Sequence, residues 1–314
     1  MANDNARPIM RRLIVLFILC VGGTPALAQA PPAAMPADYA AVLQTLGRQG
    51  DFKDNVLKVN IPRTDLKITV DGIATPTPFG FGGWLAFTKG DQNMDLMMGD
   101  LVLTEAELNP VMSAVLDNAL DVTAVHNHFF FDQPRMFYMH VHGHGSAADL
   151  AKRIQPALAL IGKAAAASAA AAPPSRTIEG TLDTAALARV VGTVGEQTGT
   201  VYKITIGRTD LKLVEMGATI NARMGLNTWA AFYGNDADAI VAGDVAMLAA
   251  EVTPVLKALR TNGLSVVAVH SHMTATSPSV YFVHYWGKGP AQRLAAGVRA
   301  AVDQLAHAPA AAGR

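Results

Sequence analysis

The chain has 314 residues, 51% of them hydrophobic and 16% charged, with 25 basic against 25 acidic side chains. That length suits two domains of ordinary size, each with its own core. A formal net charge of zero offers no basic face to nucleic acid or an anionic membrane, and a lone cysteine, Cys20, excludes an internal disulfide framework.

Residues 10–30 read as a secretory leader. Arg11 and Arg12 precede an apolar run over 13–21, and Ala26-Leu27-Ala28 is a small-x-small cleavage signal. A signal peptide is expected over 1–28, with Met10 as an alternative start. The apolar run is shorter than the roughly 20 residues a membrane span needs. Leu19 is too large for the position before a lipid-bearing cysteine, so an anchor at Cys20 is not expected. These features predict a periplasmic or secreted protein with no integral span in its mature chain.

The first folded elements follow from periodicity. Residues 37–46 carry apolar side chains at helical spacing with Asp38 near the start, and Gly47 and Gly50 end the run. Residues 56–61 and 66–70 alternate as strands, the latter closed by an Asp71-Gly72 turn. Residues 84–87 and 94–98 read as two more strands, joined through Lys89-Gly90-Asp91. Thr104 and Glu107 form a capping box that starts a helix running to about residue 116. A hairpin over 121–128 and 136–144 turns at Asp132-Gln133-Pro134, and a helix capped by Ser146 closes the unit.

This unit occurs twice. RTDLK stands at 63–67 and again at 208–212, an offset of 145 positions that also pairs Trp84 with Trp229. After a one-residue deletion the offset is 144. It then pairs Gly99-Asp100 with Gly243-Asp244, Glu107 with Glu251, and His126, His128 and His140 with His270, His272 and His284. The predicted fold is α+β: a tandem duplication of a module with a largely antiparallel sheet and helices, its halves related by a pseudo-two-fold. The expected domains are 36–163 and 176–306, joined by an Ala/Pro linker over 164–175 and followed by a disordered tail over 307–314.

Eight of the nine histidines fall in the two hairpins, AVHNHFFFDQPRMFYMHVHGHG and AVHSHMTATSPSVYFVHYWGKG. Side chains alternate faces along a strand, so His126 and His128 share a face, as do His140, His142 and His144. A turn centred near Gln133 sets His126 opposite His140, with Cβ atoms about 5 Å apart. Three imidazoles then converge, a donor set suited to a divalent transition metal, zinc foremost. The expected ligands are His126, His128, His140 and His144. A second-copy site of His270, His272, His284 and Asp244 is expected to be weaker, because Trp286 and Lys288 replace His142 and His144.

The acids and other repeated residues carry alternatives. Asp100 and Asp244 follow a strand and precede a helix, where they complete a metal site, act as a general base or simply make a turn. Asp100, His142 and Glu107 are the catalytic candidates, Glu107 being equally explained by its capping role. Arg63 and Arg208 can clamp a carboxylate or phosphate, or fix their own turns through Asp65 and Asp210. Phe129 and Phe131 either line an apolar substrate pocket or pack beneath the hairpin.

RTDL, the GD before the helix, the HNH hairpin and MHVHGHG together resemble the LppY/LpqO-type family of secreted lipoproteins, over about 38–163 and 183–306. The resemblance implies secretion and a tandem domain; it implies no reaction, cofactor or catalytic residue. Three functions compete. The first is a periplasmic metal-dependent hydrolase of a small ester, lactone or phosphoester. The second is a non-enzymatic metal-binding protein for zinc or copper, and the third a ligand-binding or structural envelope protein. A small molecule or metal is the expected partner, and the oligomeric state stays open.

Overall fold

The computed structural model describes Met1 and residues 34–163, 175–274 and 276–305. The expected leader, the Cys20 position, nearly all of the linker and the C-terminal tail lie outside the described residues. The fold is α+β and consists of two similar sheet-and-helix modules in tandem.

The first module opens with helix α1 (Ala37–Leu46) and the strands β1 (Asp51–Lys53), β2 (Val56–Pro62), β3 (Ile68–Val70) and β4 (Ile73–Thr75). β5 (Gly82–Lys89) and β6 (Asp95–Thr104) lead into α2 (Glu105–Asp117). β7 (Asp121–His126), β8 (Asp132–Gln133), β9 (Met136–Gly145) and α3 (Ala147–Leu158) complete it. Six strands form one sheet in the order β1-β2-β5-β6-β9-β7, every pairing antiparallel. The second module repeats this plan with α4 (Thr184–Val191), β10 (Glu196–Thr198), β11 (Val201–Gly207), β12 (Leu213–Glu215), β13 (Ala218–Ile220), β14 (Asn227–Gly234), β15 (Ala239–Leu248), α5 (Ala249–Thr261), β16 (Ser265–His270), β17 (Val280–Gly289) and α6 (Ala291–Val302). Its sheet runs β10-β11-β14-β15-β17-β16.

Strand alternation divides each sheet between two cores. The outward faces pack on helices: Leu57, Phe87, Met97, Leu101 and Val141 meet Val111, Val115, Leu150 and Ile154. Tyr202, Phe232, Val241 and Tyr285 meet Val255, Leu259, Leu294 and Val298 in the same way. The inward faces pack on each other. One mixed core joins Phe79, Phe81, Val102 and Tyr138 to Val201, Ala231, Ile240 and Ala242. The other joins Met224, Leu226, Ala246 and Phe282 to Val56, Ala86, Leu96 and Met98. Each set is the counterpart of the other with the copies exchanged, as a pseudo-two-fold relation requires. The layers are therefore helices, sheet, sheet, helices.

Two differences from the sequence reading bear on the site. Gly99-Asp100 does not end a strand; β6 continues through it to Thr104. A Cβ at Gly99 would stand 2.6 Å from Leu85 Cδ2 and 2.9 Å from Val141 Cγ2. The glycine thus serves close packing on the helix side, while Asp100 points inward. The hairpin register also differs. His126 pairs with Tyr138 and Ala124 with His140, because part of the intervening segment, β8, leaves to pair with β3.

Candidate metal centre between the two copies

In-register pairing builds the site. Asp100 on β6 is the neighbour of His140 on β9 and of Trp84 on β5. Asp244 on β15 is likewise the neighbour of His284 on β17 and of Trp229 on β14. Both rows lie on inward faces. His126 and His270 end β7 and β16, and His128 and His272 follow one turn of the pleat later. The Thr123 hydroxyl donates to the His272 carbonyl at 2.8 Å, tying the two hairpins together.

The sheets bring six imidazoles from both copies into one cluster. His126 stacks on His270 with centroids 3.8 Å apart, His128 on His284 at 3.6 Å, and His140 lies 4.0 Å from His272. The last two pairs exchange under the repeat, and the first maps onto itself. The Nε2 atoms of His126 and His284 are 3.2 Å apart. Asp244 reaches His272 at 3.5 Å, His284 at 3.8 Å and His270 at 3.9 Å. Asp100 lies 4.0 Å from both His128 and His140.

Burial is nearly complete: His140 and Asp244 are 1% and 2% exposed. Removal from water, then the proximity of other imidazoles, holds His126, His128, His140, His272 and His284 well below the ordinary histidine range. Burial lowers His270 to about 4. These rings are neutral at pH 7, the state a metal requires. Burial raises Asp100 to about 8 against the opposing pull of Lys58 and Lys203, and raises Asp244 together with the charge of Asp100.

Among the described residues several buried polar atoms have no hydrogen-bond partner, among them His126 Nδ1, both ring nitrogens of His128 and His270, His140 Nε2, and one oxygen each of Asp100 and Asp244. Such atoms are costly in a dry interior unless something binds them. Three groups place a ligand atom from each member within 4.8 Å of the others: His126/His128/His284, His126/His140/His270 and Asp244/His270/His284. Every group except the last draws on both copies. These clustered side chains are capable of coordinating a divalent metal ion.

The remaining candidates lie elsewhere. His142 faces Glu215 of the second module at 3.5 Å, and His144 faces Asp91 at 3.7 Å. Arg63 is buried against Glu107, with Nη1–Oε2 at 2.6 Å, and also binds Asp65 and the Val102 carbonyl. Arg208 repeats this with Glu251, Asp210 and Ala246. Glu107 accepts the Thr104 backbone N–H at 2.8 Å, and Glu251 accepts that of Leu248 at 2.7 Å. The glutamate half of the cap therefore persists where leucine replaces threonine. Phe129 is buried beside Phe79 and Phe81, whereas Phe131 is exposed.

A cleft of about 500 Å³ runs from the surface to Asp100, Asp244, His128, His272 and His284. Its walls include Lys58 and Lys203, Trp84 and Trp229, and Gly80 and Gly225. The lysines were missed because a lysine in an alternating strand reads as solvent-facing. Their repetition at the offset of 145 was the available signal.

Fold and site together define a tandem α+β protein with a buried histidine–aspartate centre shared by its two repeats. The chain belongs to the family described as Domain of Unknown Function (DUF1259), which matches residues 40–160 and 185–304. That match replaces the expected LppY/LpqO-type membership. No curated protein matches the chain. Similar solved structures include the trimeric bacterial microcompartment shell protein PduB, at 12% identity over 80% of this chain and 86% of that one, with a TM-score of 0.19. EtuB from Clostridium kluyveri is 9% identical over 82% and 92%, with a TM-score of 0.21. The fused permuted hexameric shell protein MSM0275 from the RMM microcompartment is 13% identical over 79% and 95%, with a TM-score of 0.17. None of these structures supports the expected secreted or periplasmic location or its signal peptide. Scores this low carry no inference about what the chain assembles with. Among the described residues no helix is long and apolar enough to cross a membrane.

Proposed function

We propose that this is a non-enzymatic metal-binding protein that holds one divalent transition ion, zinc or copper, between its two repeats. The observation that carries the reading is the approach of His126 Nε2 and His284 Nε2, from different copies, to 3.2 Å. Two imidazole nitrogens on a tetrahedral ion, each about 2.0–2.1 Å from it, stand about 3.3 Å apart. His128 groups with both His126 and His284, His140 and His270 with His126, and Asp244 and His270 with His284. Neutral imidazole without thiolate suits zinc and copper among the common ions.

Elemental analysis of the purified chain beside His126→Ala and His270→Ala tests it. A shared centre predicts near one ion per chain in the parent and loss in both variants. Full retention in His270→Ala, or no uptake by the parent after resupply, would refute it. The cleft that reaches Asp100 and His128 favours a second reading, metal-assisted hydrolysis of a small ester or phosphoester, in which Asp100 handles the proton. Metal-dependent turnover of such substrates, abolished in Asp100→Asn, would establish it, and metal-loaded protein without turnover would dismiss it.

A further inference from the structure

We propose that the cleft binds a small doubly charged oxyanion between the ammonium groups of Lys58 and Lys203, at the open end of the histidine cluster. This goes beyond the metal reading and depends on it only in that both sites share one cleft.

The two lysines occupy corresponding positions on β2 and β11, and both side chains enter the same cleft. Lys58 Nζ stands 4.5 Å from the Trp84 ring centre and Lys203 Nζ 4.2 Å from that of Trp229. These aromatic faces hold the stems and aim the charges. Among the described residues neither ammonium has a hydrogen-bond or ion-pair partner, and neither comes within ion-pair distance of Asp100 or Asp244. By contrast Arg223, on the same cleft, is engaged by Asp51 at 2.7 Å. Burial, with the charge of Lys203 behind it, pushes Lys58 down to about 8, and burial pushes Lys203 to about 8. Asp100 and Asp244 attract these cations only from beyond ion-pair distance, and the two ammonium groups repel each other in one partly dry cleft, a cost that an anion between them removes.

Glycines let the cleft walls pack closely, a neighbouring ring filling the place of each missing Cβ. A Cβ at Gly225 would come within 2.9 Å of His272 Nδ1 and 3.4 Å of Trp84, and one at Gly80 within 2.9 Å of Phe129. Two ammonium groups at corresponding positions of the two repeats, both lining one cleft, match a ligand with negative charge at two ends or spread over one centre. Phosphate and a short dicarboxylate share that chemistry.

The test is calorimetric titration of the full chain with inorganic phosphate and, separately, with succinate, in metal-loaded and chelator-treated protein. The parent is compared with Lys58→Met/Lys203→Met, which keeps the apolar stems on the tryptophans, and with Lys58→Arg/Lys203→Arg. The expected result is binding of at least one probe, weakened tenfold or more in the methionine variant and restored in the arginine variant, with metal content unchanged throughout. Which probe binds more tightly identifies the source of the oxyanion. Equal affinity in the parent and the methionine variant, or no binding of either probe at millimolar concentration, would overturn the proposal. Lysine-dependent binding in a chain that takes up no metal would overturn the metal centre and leave the anion site standing. Metal uptake without lysine-dependent binding would do the reverse.

Discussion

Replacing Arg63 by Met separates a structural from a ligand-binding role for the repeated arginine. Arg63 is 1% exposed and its guanidinium meets both oxygens of the equally buried Glu107, at 2.6 and 3.1 Å. It also donates to the Val102 carbonyl at 2.8 Å. Methionine fills most of the volume but strands the Glu107 carboxylate. Breaking a buried ion pair from one side costs about 3–5 kcal/mol. The Thr104 and Gly162 N–H groups still bond Glu107, at 2.8 and 2.7 Å, and bring the expected cost to about 3 kcal/mol. With a urea slope of about 3 kcal/mol/M, the unfolding midpoint should fall by about 1 M. Adding Glu107→Gln to Arg63→Met should recover at least about 1 kcal/mol, because the amide keeps an acceptor and loses the charge. Urea denaturation of the parent, both singles and the double gives the coupling. A midpoint in Arg63→Met within about 0.2 M of the parent, on the same slope, would refute the reasoning.

Metal should stabilise the chain: at a hundredfold excess over Kd the gain is about 2.7 kcal/mol, or about 5–10 °C in Tm, reversed by a chelator in a melting scan. A Tm unmoved by zinc and copper would count against the shared centre. Gly225→Ala places a methyl 2.9 Å from His272 Nδ1 at a backbone φ of +95°, so it should cost about 1–3 kcal/mol and weaken metal uptake in an equilibrium titration. Unchanged stability and unchanged uptake would show that the wall gives way freely. At the edge of the inter-copy contact His142 faces Glu215, whereas Trp286 and Val70 occupy the corresponding positions. Glu215→Val alone should destabilise by about 1–3 kcal/mol, and adding His142→Trp should recover part of that; additive losses in denaturation would exclude coupling.

The sequence made the helices, the long strands and the duplication legible, since each rests on local periodicity or on identity at a fixed offset. The convergence of His126, His128 and His140 was legible for the same reason: alternate residues on paired strands share a face. Meeting His270, His272 and His284 is a contact between residues more than a hundred positions apart, and nothing local encodes it. Asp100 follows the strand predicted over 94–98 and precedes a predicted helix, so a turn was one of its readings, whereas β6 runs through it. Only the side chains of Leu85 and Val141 show that a missing Cβ was wanted at Gly99. Glu215 stands in a short strand with no motif around it, and its relation to His142 exists only across the interface.

The exchange of partners across the pseudo-two-fold also bears on ancestry. A centre built half from each repeat is what two identical chains would form by dimerising about a symmetry axis, with the same patch facing itself. Joining the two into one chain fixes their ratio and removes the concentration dependence of assembly. It also releases each half from serving both sides of the axis. One side keeps His142 against Glu215 while the other carries Trp286 and Val70 within one apolar cluster. A homodimer cannot hold two different edges around one centre; a fused pair can, and the inner histidines stay common to both halves while the rim becomes directional.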